Sequence, residues 1–125
     1  MRVMLDTHLV LWAMKDDKRL SATARSEINR ASTVYVSAAS LWDISIKIRL
    51  GKLQVDPNKL IASLREAGFE PLPITWEHAA AVGPLPDLHR DPFDRMLVAQ
   101  AITEPVRLLT HDATMAKYSD LVSIV

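Results

Sequence analysis

Four aspartates stand where folding could gather them. Asp6 ends the short apolar run Val3, Met4, Leu5, and Asp43 lies early in the helical stretch LWDISIK. Asp94 lies early in the helix opened by DPFDR, and Asp112 follows the apolar run VRLLT. A carboxylate at the end of a buried strand is costly to strip of water, so it needs a partner. In open α/β sheets ligands bind beyond the carboxyl ends of the strands, and right-handed crossovers bring strand ends and helix starts to the same side. Carboxylates collected there repel one another, and a hard divalent cation relieves the repulsion. Ligands that are all oxygen favour Mg²⁺ or Mn²⁺ over softer ions.

Most of these acids also have a structural use open to them. Ser40 to Asp43 has the spacing of a capping box with Asp in place of Glu, and Asp43 can pair with Lys47 one turn on. Asp91, before Pro92, can cap a helix whose dipole Asp94 then complements. Asp112 can cap the last helix. Asp6 has no comparable routine job at a buried strand end, so it is the acid most in need of a functional explanation.

Other chemistries find little support. The chain has no cysteine, which excludes disulfides, zinc–thiolate sites and cysteine nucleophiles. His8, His78, His89 and His111 form no i,i+4 pair and no HExxH, so each reads as a surface or hydrogen-bonding residue. Gly51, Gly68 and Gly83 do not follow strands as a phosphate-binding loop requires, and no serine lies in G-x-S-x-G. A haloacid-dehalogenase phosphatase needs a second acid two residues after the first, where this chain has His8. Trp12, Trp42 and Trp76 lie in apolar helical settings and read as core or interface residues rather than base-stacking ones.

The elements that must position these residues alternate. Leu9 to Lys15 predicts a first helix, and Ser21 caps a second that runs to about Ala31, with Ala24, Ile28 and Ala31 on one face. Thr33 to Ser37 is β-branched and aromatic, a strand. In SAASLWDISIKIRLGKL, Leu41, Ile44 and Ile48 share a helical face and Gly51 ends it. Pro57 opens another helix, closed by Gly68. Phe69 to Pro73 is a connection or edge strand, and Glu77 to Val82 a helix. HRDPFDRMLVAQAITE gives a strong helix, Val106 to Thr110 a strand, Ala113 to Tyr118 a short helix and Leu121 to Val125 a last strand. This alternation predicts an α/β fold with a central parallel sheet covered by helices on both faces.

At 125 residues the chain is expected to be a single domain, 1–125, large enough for one sizeable core. Its longest uninterrupted apolar run, Leu9 to Met14, falls far short of the ~20 residues of a membrane span. The absence of cysteine fits a reducing compartment, and a cytoplasmic setting with no membrane partner is expected. With 15 basic and 15 acidic residues the formal net charge is zero. A nucleic-acid partner would therefore have to be met by local charge or by a bound cation.

The stretches MLDTHLVLW, VSAASLWDISIKIRLGKL, LPITWEHA, LPDLHRDPFDRMLVAQA and LLTHDATMAKY resemble those of PIN-domain proteins, and more closely VapC-type toxins, the ribonuclease half of toxin–antitoxin pairs. The resemblance runs from about Met1 to Tyr118. It implies a sheet of about five parallel strands and an acidic site holding Mg²⁺ or Mn²⁺. Asp6 and Asp94 fall on metal-ligand positions, Asp112 on a less regular fourth acid, and Thr7 and Thr110 on hydroxyls beside the metal. Asp43 falls where the family typically has Glu. Its reach is shorter by one methylene, ~1.3 Å, which implies either water-mediated binding or weakened activity. The expected activity is hydrolysis of RNA phosphodiesters with Asp6, Asp43, Asp94 and Asp112 as the catalytic acids. The alternative is a weak or inactive PIN domain that binds RNA or protein. Lys47, Arg49, Arg90 and Arg95 are candidates to guide the RNA backbone. A cognate antitoxin and a homodimer are the implied protein partners, with the helices bearing Trp12 and Trp42 as docking surfaces.

Overall fold

A computed structural model describes all 125 residues. Strand β1 (Arg2–Leu5) leads into α1 (Thr7–Lys15) through Asp6 alone, and α2 (Ala22–Arg30) follows a polar turn. Strand β2 (Thr33–Ser37) runs straight into α3 (Ala38–Arg49), and α4 (Pro57–Glu66) precedes the short β3 (Glu70–Leu72). Then come α5 (Trp76–Val82), α6 (Pro92–Thr103), β4 (Arg107–Thr110), α7 (Ala113–Ala116) and β5 (Val122–Ile124). No helix is long and apolar enough to cross a membrane.

The five strands form one parallel sheet in the order β3-β2-β1-β4-β5. The period-2 alternation of each strand divides the core in two. Val3, Leu5, Val34, Val36 and Leu109 face a cluster with Leu9, Val10, Ala24, Leu60 and Leu64, supplied by α1, α2 and α4. Met4 and Leu108 point the other way, onto Leu97, Val98 and Ala101 of α6 and Met115 of α7. Strands buried on both sides read as continuous apolar runs, which is why VML and VRLLT carry no polar alternation. Pro71 sits on the edge strand β3, the place where a missing N–H costs least.

Winding starts at β1 and proceeds outward through β2 to β3, then resumes on the other side with β4 and β5. The order therefore reverses between β1 and β4. A crevice opens at such a switch point, outside the carboxyl ends of the two strands. Asp6 follows one of these ends and Thr110 forms the other.

Three local expectations are corrected. The first helix starts at Thr7 rather than Leu9, because Asp6 itself caps it. Ser37, the last residue of β2, caps α3 through the Ala39 N–H. Ser40 therefore lies within the helix and makes no capping box with Asp43. Core packing holds for only one tryptophan: Trp12 is half-buried against the core, whereas Trp76 is 91% exposed and Trp42 61% exposed with its ring edge-on to Phe93.

Candidate metal centre

Asp6 is buried at the end of β1. Its N–H donates to the Leu109 carbonyl at 3.0 Å, which carries the β1–β4 pairing one residue further. Its Oδ1 accepts the Leu9 N–H at 2.9 Å and its Oδ2 accepts the Thr110 hydroxyl at 2.5 Å. The expectation that Asp6 lacked a structural job is thus corrected, since it is the N-cap of α1. Each carboxylate oxygen has two lone pairs, so one bond at each leaves acceptor capacity facing the crevice. Thr110 Oγ1 also accepts the Asp112 N–H at 3.0 Å, so one hydroxyl fixes two of the acids.

Asp94 enters from the first turn of α6. The preceding Asp91 caps that helix, accepting the N–H groups of Phe93 at 2.8 Å and Asp94 at 3.1 Å. Burial, then the charge of Asp91, and more weakly those of Asp6 and Asp112, push the Asp94 carboxyl up to about 7 against an opposing pull from His89. Asp112 caps α7 through the Thr114 N–H at 2.8 Å. Burial works to raise its pKa, but hydrogen bonds from His89 and the α7 backbone outweigh it and hold the carboxyl below its ordinary value. His89 Nε2 stands 2.9 Å from Asp112 Oδ2 and 3.3 Å from Asp94 Oδ2.

The remaining predicted residues divide. Asp43 is buried on α3 and pairs with Lys47 Nζ at 3.4 Å, and it is not among the residues lining the acidic cavity. Thr7 donates its hydroxyl to Ser40 Oγ at 3.0 Å, bracing α1 against α3. Arg95 is half-buried and ties down a loop by donating to the carbonyls of Val82, Leu85 and Pro86 and to Tyr118 Oη. It is not free to meet a substrate, so that expectation is corrected. Lys47 is partly engaged by Asp43, whereas Arg49 and Arg90 are exposed.

Asp6, Asp94 and Asp112 line one cavity of about 260 Å³ together with His8, Trp12, His111 and Met115. Trp12 packs against both histidines, with ring centroids 6.0 Å from His8 and 5.5 Å from His111, and forms an aromatic wall beside the acids. A larger hollow of about 390 Å³ lies between α3, α4 and β3, but Arg65 and Glu70 are its only charged lining residues. The acids gather in the smaller one. Sequence reasoning missed His89 and the aromatic wall. A signal for His89 was present, because a histidine two residues before an Asp-Pro helix start can fold back onto that start.

A doubly wound parallel sheet with acids clustered at its switch point is the architecture of a small α/β protein that binds a ligand at its strand ends. The chain belongs to the PIN-domain family, whose model matches residues 3–121. It is 28% identical over 123 residues to ribonuclease VapC22 of Mycobacterium tuberculosis, covering 93% of this chain and 91% of that protein. Among solved structures it is similar to VapBC2 from Rickettsia felis bound to a DNA fragment from their promoter, with a TM-score of 0.72 and 15% identity over 99% of this chain and 98% of that one. DNA-bound VapBC from Salmonella typhimurium gives a TM-score of 0.68 at 15% identity, over 100% of this chain and 97% of that one. At these identities the solved structures speak for the fold alone, which agrees with the five-stranded parallel sheet expected from the sequence.

Proposed function

We propose that this chain is a divalent-metal-dependent endoribonuclease of the VapC kind, the toxin of a toxin–antitoxin pair, cutting RNA phosphodiesters at the Asp6–Asp94–Asp112 pocket. The observation that carries the reading is the crowding of three carboxylates around one cavity, with Asp94 raised to about 7. Acids held in this way gain from a cation, and the all-oxygen donor set suits Mg²⁺ or Mn²⁺. The likeness to a protein named ribonuclease VapC22 and to VapBC complexes supports both the activity and a cognate antitoxin partner. A homodimer and a cytoplasmic setting belong to the same proposal.

In this reading Asp6 and Asp94 hold the ion, and Asp112 orients water at its edge. A divalent cation, when bound, acidifies its water and offsets charge developing on the phosphate. Thr110 steadies Asp6 through its hydroxyl and Asp112 through its backbone, so two acids keep their spacing as substrate arrives. Arg49 and Arg90 remain available to guide the RNA backbone, and Lys47 only by giving up Asp43.

One observation favours a second reading, a PIN domain that binds RNA or a partner and cuts weakly or not at all. Asp43 is engaged by Lys47 and does not line the cavity, so the Asp that stands in the family's Glu position contributes little as it stands. Incubating structured and unstructured RNAs with Mg²⁺ or Mn²⁺ separates the two. The nuclease reading expects cleavage by wild type, none by Asp6→Ala, and faster cleavage by Asp43→Glu, whose added methylene restores reach. A 1 Å misplacement costs about 100-fold in rate, so the gain should be readily measured. Silence from all three, with RNA still bound, would establish the binding module.

A further inference from the structure

His89 contacts two of the pocket's acids and has no task in the proposed chemistry. We infer that His89 is a positioning residue, one that holds Asp112 beside Asp94 by donating a hydrogen bond and does not itself ligate the metal. The inference rests on the metal-site reading above and concerns only how the site is assembled.

Nδ1 of His89 accepts the backbone N–H of Asp91 at 3.1 Å, so that nitrogen carries no proton. A neutral imidazole keeps its proton on the other nitrogen, which makes Nε2 a donor. Nε2 is the atom that meets Asp112 Oδ2 at 2.9 Å, with Asp94 Oδ2 at 3.3 Å. The ring and the two carboxylates offer atoms within 4.8 Å of one another, a spacing that by itself would suit a three-ligand metal site. A nitrogen that bears a proton has no lone pair to give. While Asp91 N–H points at Nδ1, the imidazole lies outside the ligand set and belongs to the group that aims it.

The backbone that carries the ring is also held. The His89 N–H donates to Tyr118 Oη at 2.8 Å, and Arg95 Nη1 donates to the same oxygen at 3.2 Å. Arg95 in turn fastens the carbonyls of Val82, Leu85 and Pro86 on the segment leading to His89. Asp94 comes from α6 and Asp112 from the start of α7, and two like charges from separate elements splay apart unless something bridges them. The Nε2–H holds Asp112 by a hydrogen bond, with Asp94 Oδ2 3.3 Å from the same nitrogen, before any cation arrives.

Two isosteres separate the halves of the ring. In His89→Gln the side-chain amide nitrogen takes the place of Nε2 and keeps the donor, whereas in His89→Asn the amide oxygen takes the place of Nδ1 and keeps only the acceptor for Asp91. Calorimetric titration with Mn²⁺ should give His89→Gln near wild type and His89→Asn weaker by about 10- to 100-fold, the range seen when groups that orient metal ligands are lost. Melting without metal checks that both variants are folded. Imidazole ¹⁵N spectra of the metal-free wild type should show the proton on Nε2 of His89. The inference is overturned if His89→Asn binds Mn²⁺ as wild type does, if both variants lose equally while melting normally, or if the proton is on Nδ1. Should both variants melt early, the ring spectrum decides alone. A wild type that bound no Mn²⁺ would instead remove the nuclease reading, and the spectrum would still report whether the imidazole donates to Asp112.

Discussion

A single carboxyl, Asp94, reports the state of the whole site. Its pKa of about 7 in the folded chain stands well above the ~3.9 of an unfolded aspartate. Between those values the native state binds more protons than the unfolded one, so metal-free stability falls as pH rises. The contribution is fully present below about pH 4 and lost as pH passes about 7. Chemical denaturation of the metal-free chain between pH 4 and 8 should therefore show stability declining from about pH 4 to about pH 7 and levelling off above that. Asp94→Asn should flatten the decline and raise the pH 8 midpoint, because it removes a charge that burial and Asp91 both oppose. Saturating Mn²⁺ should flatten it too, by stabilising the ionised form. A slope unchanged in Asp94→Asn would mean that the carboxyl titrates elsewhere. That the acids would repel one another was legible in the sequence; that Asp94 would be the one pushed up was not. That outcome depends first on the burial of Asp94 and then on Asp91 capping the helix beside it, while Asp112 receives His89, all features of folded geometry.

At the level of elements, caps were the most legible features because they are local. Ser21, Asp91 and Asp112 cap the helices their spacing indicated, and Asp56 does the same before Pro57. The misreading at Ser40 has a physical cause, since β2 turns into α3 with no loop and Ser37 takes the capping role three residues earlier. A buried polar chain between elements was not legible at all. Ser37 donates to Gln100 Oε1 at 2.5 Å, and Gln100 Nε2 lies 3.2 Å from the Pro73 carbonyl and 3.3 Å from His78 Nδ1. His78 Nε2 meets Glu104 at 2.5 Å. The chain of bonds links the ends of β2 and β3 to α5 and to α6, the helix that carries Asp94. Gln100→Leu keeps the volume but leaves the buried Ser37 hydroxyl without its acceptor, whereas the carbonyl of exposed Pro73 can turn to water. A buried unsatisfied group costs about 1–3 kcal/mol, so urea denaturation should show a loss of that size. A loss below 1 kcal/mol would show that water replaces the amide. The same variant should weaken Mn²⁺ binding although Gln100 touches none of the acids.

At the scale of the whole molecule, the fold class followed from alternating periodicities, but the strand order did not. Apolar patterning says which strands are buried and leaves open on which side of β1 the fourth strand docks. That placement creates the switch point and sets Thr110 against Asp6, residues 104 positions apart in the chain. On the proposed function it would also let a chain of zero net charge receive a polyanion, since the positive charge would arrive with the ion rather than with a basic face. A bound cation would then add to the fold's own stability. A ligand that binds only the native state adds RT ln(1 + [L]/Kd), about 2.7 kcal/mol at a hundredfold excess over Kd. An unfolding entropy of about 2.1 cal/mol/K per residue makes 1 kcal/mol worth roughly 4 °C in a chain of 125 residues. Mn²⁺ at that excess should raise the melting temperature of wild type by about 10 °C. Asp6→Asn should lose the shift, because it removes a ligand charge while its side-chain oxygen can still cap α1. Two further comparisons sharpen the result. Asp43→Asn should keep most of the shift, since Asp43 is occupied by Lys47 outside the cavity, and Ca²⁺ should give a smaller one, because its larger shell wants more oxygens than three carboxylates supply. Equal shifts in wild type and Asp6→Asn would mean that the ion sits elsewhere and that the acids at the switch point serve only as caps.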